Sequence, residues 1–152
     1  MKALLAGAVD RVRVVGRGDM PDRAPDLGPL CGILTLLEVS EADINLVIAV
    51  DLPFLTIPFL KYLRSRTEAS SQLAVTCKVA SQFPLCLGLK REAVSIVGEH
   101  LKAGKLSVHR FLTECDAEII SEGAITRAGF TLAIFHNVNT EAEYLRLRPP
   151  QT

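Results

Sequence analysis

The sequence lacks an excess of charge of either sign. Seventeen basic side chains are balanced by seventeen acidic ones, so the formal net charge of the 152 residues is zero at pH 7. The basic residues are scattered along the chain rather than gathered into a patch. Because binding to nucleic acids and to anionic membranes depends on such patches, we expect no nucleic acid and no membrane among the partners.

The sequence also lacks cysteine pairs and long uninterrupted apolar runs. Its four cysteines form no CxxC pair and no metal-ligand spacing with the three histidines, and they lie among apolar residues. This is typical of small core residues in a reduced, cytoplasmic protein. The longest apolar segment, residues 44–60, is interrupted by Asp51 and two prolines, so it is not a membrane span. The first residues become charged too early for a signal peptide.

The amino-acid composition favours one globular domain, since 49% of the residues are hydrophobic and 22% are charged. Apolar segments of strand length alternate with segments of helical periodicity. This order predicts an α/β fold with three layers and a mostly parallel sheet that has a small antiparallel insertion near its end. Strands are expected at residues 11–15, 46–50, 72–79, 85–89 and 117–120. We expect one domain over residues 1–147 and a disordered tail over residues 148–152.

One short apolar run, residues 46–50, ends at an acidic residue, Asp51. The run predicts a central strand buried on both faces, and Pro53 forces the chain to turn after it. Because open α/β sheets bind ligands at the carboxyl ends of their strands, Asp51 is a candidate ligand for a hard cation such as Mg²⁺. An aspartate that simply begins the turn explains the local pattern equally well.

Two further stretches suit ligand binding. Gly28 and Pro29 open a predicted helix whose first turn also contains Gly32, and glycines allow a ligand close to a helix N-terminus that favours anions. Near the other end of the chain, Asn137 and Asn139 precede a predicted last helix and offer both donors and acceptors. Ordinary helix packing for the first stretch and a helix-capping turn for the second are the alternatives.

Four motifs, DRAPDLGPLCG, VDLPF, PLC and NVNT, occur in this order. Together they resemble those of the molybdenum cofactor guanylyltransferases, over residues 11–147. The resemblance implies a Rossmann-like nucleotidyltransferase fold. It also implies transfer of GMP from GTP to the phosphate of molybdopterin, with Mg²⁺ as cofactor and release of pyrophosphate. GTP, the molybdopterin or molybdenum cofactor, and molybdoenzymes or other cofactor-biosynthesis proteins are the implied partners.

The resemblance also assigns roles to single residues. Asp51 matches the catalytic, Mg²⁺-binding acid of the family, and the two asparagines, Asn137 and Asn139, match its pterin side. The residues that match the nucleotide side are Asp22, Gly28, Pro29, Leu30 and Gly32. Such a reaction depends on positioning and charge neutralisation rather than on a covalent nucleophile.

One element of the family pattern is absent. The glycine-rich LAGGxSxRMGxDK-like loop that cradles the triphosphate has no counterpart, because the LAGA stretch at residues 5–8 is not followed by the basic part of that motif. We therefore expect a chain that is N-terminally truncated relative to the family. Two alternatives stay open: a non-catalytic remnant that keeps the pterin side, and another nucleotidyltransferase of the same fold that uses CTP.

Overall fold

The computed structural model describes residues 1–16, 20–21 and 25–147. The predicted tail and Asp22 lie outside the described residues. The helices are α1 (Lys2–Ala6), α2 (Pro29–Val39), α3 (Ile57–Ala69), α4 (Ala93–Lys102), α5 (Val108–Glu114), α6 (Glu122–Arg127) and α7 (Glu141–Leu147). The strands are β1 (Ile44–Ile48), β2 (Ala74–Cys77), β3 (Cys86–Lys90) and β4 (Glu118–Ile120). No helix within these ranges is long and apolar enough to cross a membrane.

The four strands form one mixed sheet in the order β1-β3-β2-β4. β3 pairs antiparallel with both β1 and β2, whereas β2 and β4 are parallel. Three strands therefore share one direction, and the reversed strand lies between two of them. The predicted α/β class is confirmed. The prediction of a strand at residues 11–15 is wrong, because this segment forms only an isolated bridge between Val15 and Met20 and pairs with no strand within the described ranges.

The sheet separates two hydrophobic clusters, as the predicted three layers require. Alternate residues of a strand point to opposite faces. In β2, Val75 and Cys77 join the cluster beneath α1, α3 and α6, whereas Ala74 joins the cluster formed with α2, α4 and α5. Both clusters consist of buried aliphatic and aromatic side chains, and the burial of apolar surface on both faces of the sheet stabilises the fold.

β1 differs from its prediction, because it lies at an edge of the sheet and not at its centre. With a strand on one side only, it is not buried on both faces. Asn45 is its one buried residue, and the apolar residues of the strand are half-buried. Just beyond the strand, 79% of Val50 is exposed. The apolar run was a good indicator of a strand but not of that strand's neighbours.

β3 and α3 pack so closely that the strand needs a glycine. A β-carbon built on Gly88 would lie 1.8 Å from Thr67 Oγ1 of α3. That hydroxyl is held in place because it donates a hydrogen bond to the Leu63 carbonyl at 2.8 Å. Gly88 thus fixes the distance between the helix layer and the sheet.

The cysteines behave as the sequence predicted. Cys31, Cys77 and Cys86 are buried, and Cys115 is half-buried. Burial raises the pKa of the Cys77 thiol to about 12 and that of Cys86 well above its usual value. These two thiols therefore remain protonated at neutral pH and act as small packing residues.

Candidate functional site

Three strands, β1, β2 and β4, end at the same edge of the sheet, and β3 begins there. We call this the carboxyl edge. It comprises the residues that follow β1, β2 and β4 and those that precede β3. Ligands of open α/β sheets bind at this kind of edge.

Asp51 lies at the carboxyl edge in the turn that leaves β1. Its side chain is half-buried and makes no hydrogen bond or ion pair with any residue of the described ranges. The turn beneath it is rigidly held, because Leu52 is fully buried and Leu55 is 3% exposed in the cluster below α3. The carboxylate of Asp51 is therefore presented by a fixed backbone and is available to a ligand.

Asn137 and Asn139 are brought to the same place. The residue between them, Val138, donates its backbone N–H to the backbone oxygen of Asp51 at 2.9 Å. Both asparagine side chains are exposed, and neither makes a side-chain hydrogen bond within the described part of the chain. One hydrogen bond thus joins the candidate metal ligand to the two candidate pterin-side residues.

Helix α7 holds this asparagine loop against the turn. Glu143 accepts hydrogen bonds from the backbone N–H groups of Asn139 and Thr140 at 2.9 and 3.2 Å, and Thr140 Oγ1 accepts from the Glu143 N–H at 3.2 Å. These bonds form a capping box at the start of α7. The ring of Tyr144 stacks on Phe54, with centroids 5.8 Å apart and planes 9° from parallel. The loop that contains Asn137 and Asn139 is therefore held by the capping box at the start of α7 and by the stacking of Tyr144 on Phe54.

The start of α2 lies on the other face of the sheet, because Leu30 belongs to the cluster formed with α4 and α5. Gly28 has φ +76°, a conformation that favours glycine, directly before the exposed Pro29. Leu30 is 0% exposed, so only its backbone can reach a ligand, and Gly32 is half-buried. Because α2 ends shortly before β1 begins, its N-terminus points towards the carboxyl edge.

Sequence reasoning missed two side chains at this edge, Lys78 and Phe83. Lys78 follows β2 directly, and its Nζ lies 5.8 Å from the centre of the Phe83 ring. The rings of Phe83 and His109 are 5.0 Å apart. The N–H of Ala49 donates to the Leu85 carbonyl at 2.8 Å, so Asp51 and Phe83 each lie two residues beyond that pair. No sequence signal pointed to Lys78, because the predicted strand at residues 72–79 contained it, whereas β2 ends at Cys77.

A strained turn positions Phe83. Ala80 and Ser81 have φ values of +48° and +62°, and they connect Val79 to Gln82 in a two-residue hairpin turn. The Ala80 N–H donates to a carboxylate oxygen of Glu122, which lies just beyond β4. Left-handed conformations are unfavourable for residues other than glycine, so the surrounding structure must impose them.

A solved structure shares this fold. The structure of molybdopterin-guanine dinucleotide biosynthesis protein A from Archaeoglobus fulgidus matches with a TM-score of 0.67 and 21% identity, over 79% of this chain and 60% of that one. The shared fold is the Rossmann-like nucleotidyltransferase fold that the motifs implied.

Curated relatives are similar over most of the chain. The probable molybdenum cofactor guanylyltransferase of Natronomonas pharaonis is 32% identical over 128 residues, which are 84% of this chain and 62% of the relative. The molybdenum cofactor guanylyltransferase of Syntrophotalea carbinolica is 27% identical over 84% of this chain and 61% of its own length. The chain thus spans about three fifths of the length of these relatives.

The family itself is defined by a match over most of the sequence. Residues 3–119 match the MobA-like NTP transferase domain, and the chain belongs to this family. The resemblance read from the four motifs is confirmed. The match includes Asp51 and the start of α2 but ends before Asn137 and Asn139.

Proposed function

We propose that this chain acts as a molybdenum cofactor guanylyltransferase, moving GMP from GTP to the phosphate of molybdopterin with release of pyrophosphate. The hydrogen bond between Val138 and Asp51 is the observation that carries the proposal. It joins Asp51, which is expected to bind Mg²⁺ beside the nucleotide phosphates, to the loop whose asparagines are expected to bind the second substrate. Transfer between two substrates requires such a meeting point.

Asp51 is the residue that would hold Mg²⁺. No group of three or more His, Cys, Asp and Glu side chains within residues 1–16, 20–21 and 25–147 is placed to hold a metal ion. A single unpaired carboxylate still fits Mg²⁺, which commonly binds one or two protein carboxylates and completes its shell with water and substrate phosphates. Bound Mg²⁺ would neutralise phosphate charge during transfer. The buried Leu52 keeps the carboxylate in place for this role.

The remaining residues divide between the two substrates. Asn137 and Asn139 would bind the polar pterin heterocycle through their amide groups. On the nucleotide side, Gly28, Pro29, Leu30 and Gly32 would act through the backbone at the start of α2, together with Asp22. Lys78 adds positive charge at the same edge, which suits a phosphate or pyrophosphate group.

One observation favours a second candidate, a non-catalytic module that binds the pterin side alone. The Asp51 turn and the asparagine loop are tied together, whereas the start of α2 lies apart from both on the opposite face. A transferase of the same fold that uses CTP is the third candidate. Nucleotide binding distinguishes the three.

Calorimetric titration of the chain with GTP and Mg²⁺, with CTP as comparison, tests the proposal. We expect Mg²⁺-dependent binding of GTP that Asp51→Asn weakens at least tenfold, because the neutral amide keeps the shape but loses the charge. Asp43→Asn is the matched control, since Asp43 is an exposed acid just before the same strand. At one hundred times its dissociation constant, GTP should also stabilise the fold by about 2.7 kcal/mol.

The other results identify the alternatives. Equal binding of CTP and GTP would favour the CTP-type transferase. A folded chain that binds neither nucleotide but does bind a pterin phosphate would be the pterin-side module. Loss of GTP binding in both Asp51→Asn and Asp43→Asn would remove Asp51 from its proposed role.

A further inference from the structure

Three side chains meet at the carboxyl edge, where β2 ends and β3 begins. Lys78 Nζ lies 5.8 Å from the centre of the Phe83 ring, and the centre of the His109 ring lies 5.0 Å from it. Phe83 is half-buried, whereas Lys78 and His109 are exposed. We call these three residues the Phe83 cluster. It joins the end of β2, the segment before β3 and the first turn of α5.

The backbone determines where Lys78 points. Its N–H donates to the Ile120 carbonyl of β4 at 3.1 Å, so the residue is held against the neighbouring strand. Alternate residues of a strand point to opposite faces, and Lys78 therefore shares its face with Ala74, which belongs to the cluster formed with α2, α4 and α5. The lysine side chain thus leaves a fixed strand end on the side of the sheet that carries α5.

The aromatic ring orients the ammonium group of Lys78 without neutralising it. A cation above an aromatic ring is attracted by the quadrupole of the ring, but the ring carries no net charge. Within the described ranges, Lys78 forms no ion pair with an acid. The carboxylate of Glu122, just beyond β4, accepts a hydrogen bond from the Ala80 N–H instead. The charge of Lys78 is therefore available to an anion.

His109 adds a hydrogen-bonding group beside this charge. Its ring makes no hydrogen bond with any other residue that the structure describes. The next residue, Arg110, is held by Glu114, with 2.7 Å between Nε and the carboxylate oxygen. An ammonium group and an imidazole N–H both donate to phosphate oxygens. The Phe83 cluster thus presents two donors that suit a phosphate group.

The Phe83 cluster lies across β3 from Asp51. β1 and β2 are separated by this one strand, so their ends are about 10 Å apart, which is two strand spacings. A phosphate group at the cluster would therefore lie beside the candidate Mg²⁺ site and not on it. Transfer from one phosphate-bearing substrate to another needs two such positions, because both substrates must be held at once.

We propose that Lys78 and His109 form a second phosphate-binding site, distinct from the Mg²⁺ site at Asp51. The ligand is a phosphate group with free oxygens, either the phosphate monoester of the acceptor or the leaving pyrophosphate. Phe83 is a positioning residue, because it contacts both side chains and sets their spacing. The identity of the ligand rests on the proposed function, whereas the site itself depends only on the Phe83 cluster.

Calorimetric titration of the full chain without Mg²⁺ tests the site, with phenyl phosphate as the monoester and inorganic pyrophosphate as the leaving group. Lys78→Gln should weaken binding of the preferred probe about tenfold, because a hydrogen bond from a charged donor is lost, and Lys78→Arg should retain most of the affinity. His109→Phe keeps a ring against Phe83 but removes both nitrogens, and it should weaken binding about threefold. Arg91→Gln removes an exposed cation just beyond the other end of β3 and is the matched control.

The two probes and GTP separate the outcomes. Tighter binding of phenyl phosphate would assign the site to the acceptor, and tighter binding of pyrophosphate would assign it to the leaving group. A chain that binds either probe through Lys78 but does not bind GTP would support the site and contradict the proposed guanylyltransferase. Mg²⁺-dependent binding of GTP, with probe affinities unchanged in Lys78→Gln, would support that function and overturn the site.

Two further results would overturn the site. If neither probe binds at millimolar concentration, the Phe83 cluster does not hold a phosphate group. If Arg91→Gln weakens binding as much as Lys78→Gln does, the probes respond to the net charge of the chain and not to this cluster.

Discussion

β1 and β2 are both rich in apolar residues, but they differ in how much of each strand is buried. All four residues of β2 are buried, whereas in β1 only Asn45 is. β2 pairs on both sides, and β1 pairs on one. The polar Asn45 is buried because it accepts a hydrogen bond from the Ser40 hydroxyl and donates one to the Ala42 carbonyl. Burial in this protein follows from neighbours and hydrogen bonds more than from the apolar content of a segment.

The largest expected effect tests the tight interior around β3. Gly88→Ala places a methyl group against Thr67 Oγ1, so we expect a loss of about 3 kcal/mol in the free energy of unfolding. Urea denaturation measures it. Thr67→Ala in the same chain should restore much of the loss, because it removes the atom that the new methyl group meets. If the double variant is no more stable than Gly88→Ala alone, the helix–strand distance is set elsewhere.

A pair of leucine truncations compares the interior and the edge directly. Leu87→Ala in β3 should cost about 3 kcal/mol, because Leu87 is 1% exposed. Leu46→Ala in β1 should cost about 1 kcal/mol in the free energy of unfolding. Leu46 is only half-buried, so less apolar surface is lost from the interior and water can fill the space that the leucine leaves. Unfolding in urea gives both values. Equal losses would show that the edge of β1 is covered in solution.

A smaller effect is expected at the asparagine loop, outside both clusters. Thr140→Ala removes the cap of α7 and should cost about 1 kcal/mol of helix stability. Because α7 is exposed, its amides and that of Asn139 should exchange faster while those of β2 remain unchanged. Thr113→Ala in α5 is an exposed control. Faster exchange in β2 would show that the loop and the sheet unfold together.

The smallest effect concerns a charge cluster at the surface. Hydrogen bonds from Lys105 and Arg110 lower the pKa of Glu114 from 4.5 to about 2. The ring Nε2 of His100 also lies 2.8 Å from this carboxylate. Because the folded state releases the proton more readily than the unfolded chain does, the contribution of Glu114 to stability is present above about pH 4.5 and is lost as the pH falls towards 2.

Thermal unfolding at several pH values checks this contribution. Glu114→Gln should give a flatter decrease of Tm between pH 4.5 and 2 than the unchanged chain. Glu92→Gln replaces an exposed glutamate of the preceding helix region and should keep the original slope. Identical slopes for all three chains would mean that solvent screens the cluster completely.

Features that depend only on neighbouring residues in the chain can be predicted from the sequence. Thr56 caps α3, and the Thr140–Glu143 capping box begins α7, because each needs only a side chain and a backbone group three residues apart. The Asp51 turn was predicted for the same reason. The contact of this turn with the asparagine loop depends on the backbone hydrogen bond from Val138 to Asp51. No local pattern in the sequence predicts a contact between residues so far apart in the chain.

The errors arose where long-range pairing decides the outcome. The edge position of β1 depends on β3, which is almost forty residues later in the chain. The contact of Phe83 with His109 depends on the hairpin that precedes β3 and on the placement of α5. The alternating residues 11–15 have strand character, but in the described part of the chain their only pairing is the bridge between Val15 and Met20, and a strand without a full partner does not form.

The Ala80–Ser81 turn has a consequence for the order of folding. A hairpin turn with φ positive at both central residues forms readily from Asn-Gly, whereas alanine and serine resist it. The β2–β3 hairpin therefore gains little from its own turn, and the carboxylate that supports the turn, that of Glu122, enters the chain some forty residues later. We expect β2 and β3 to pair only after β4 and α6 have packed against them. A contact between residues close in sequence would then form late in folding. Because the hairpin forms late, replacing the two residues by Asn-Gly should slow unfolding and leave the folding rate almost unchanged.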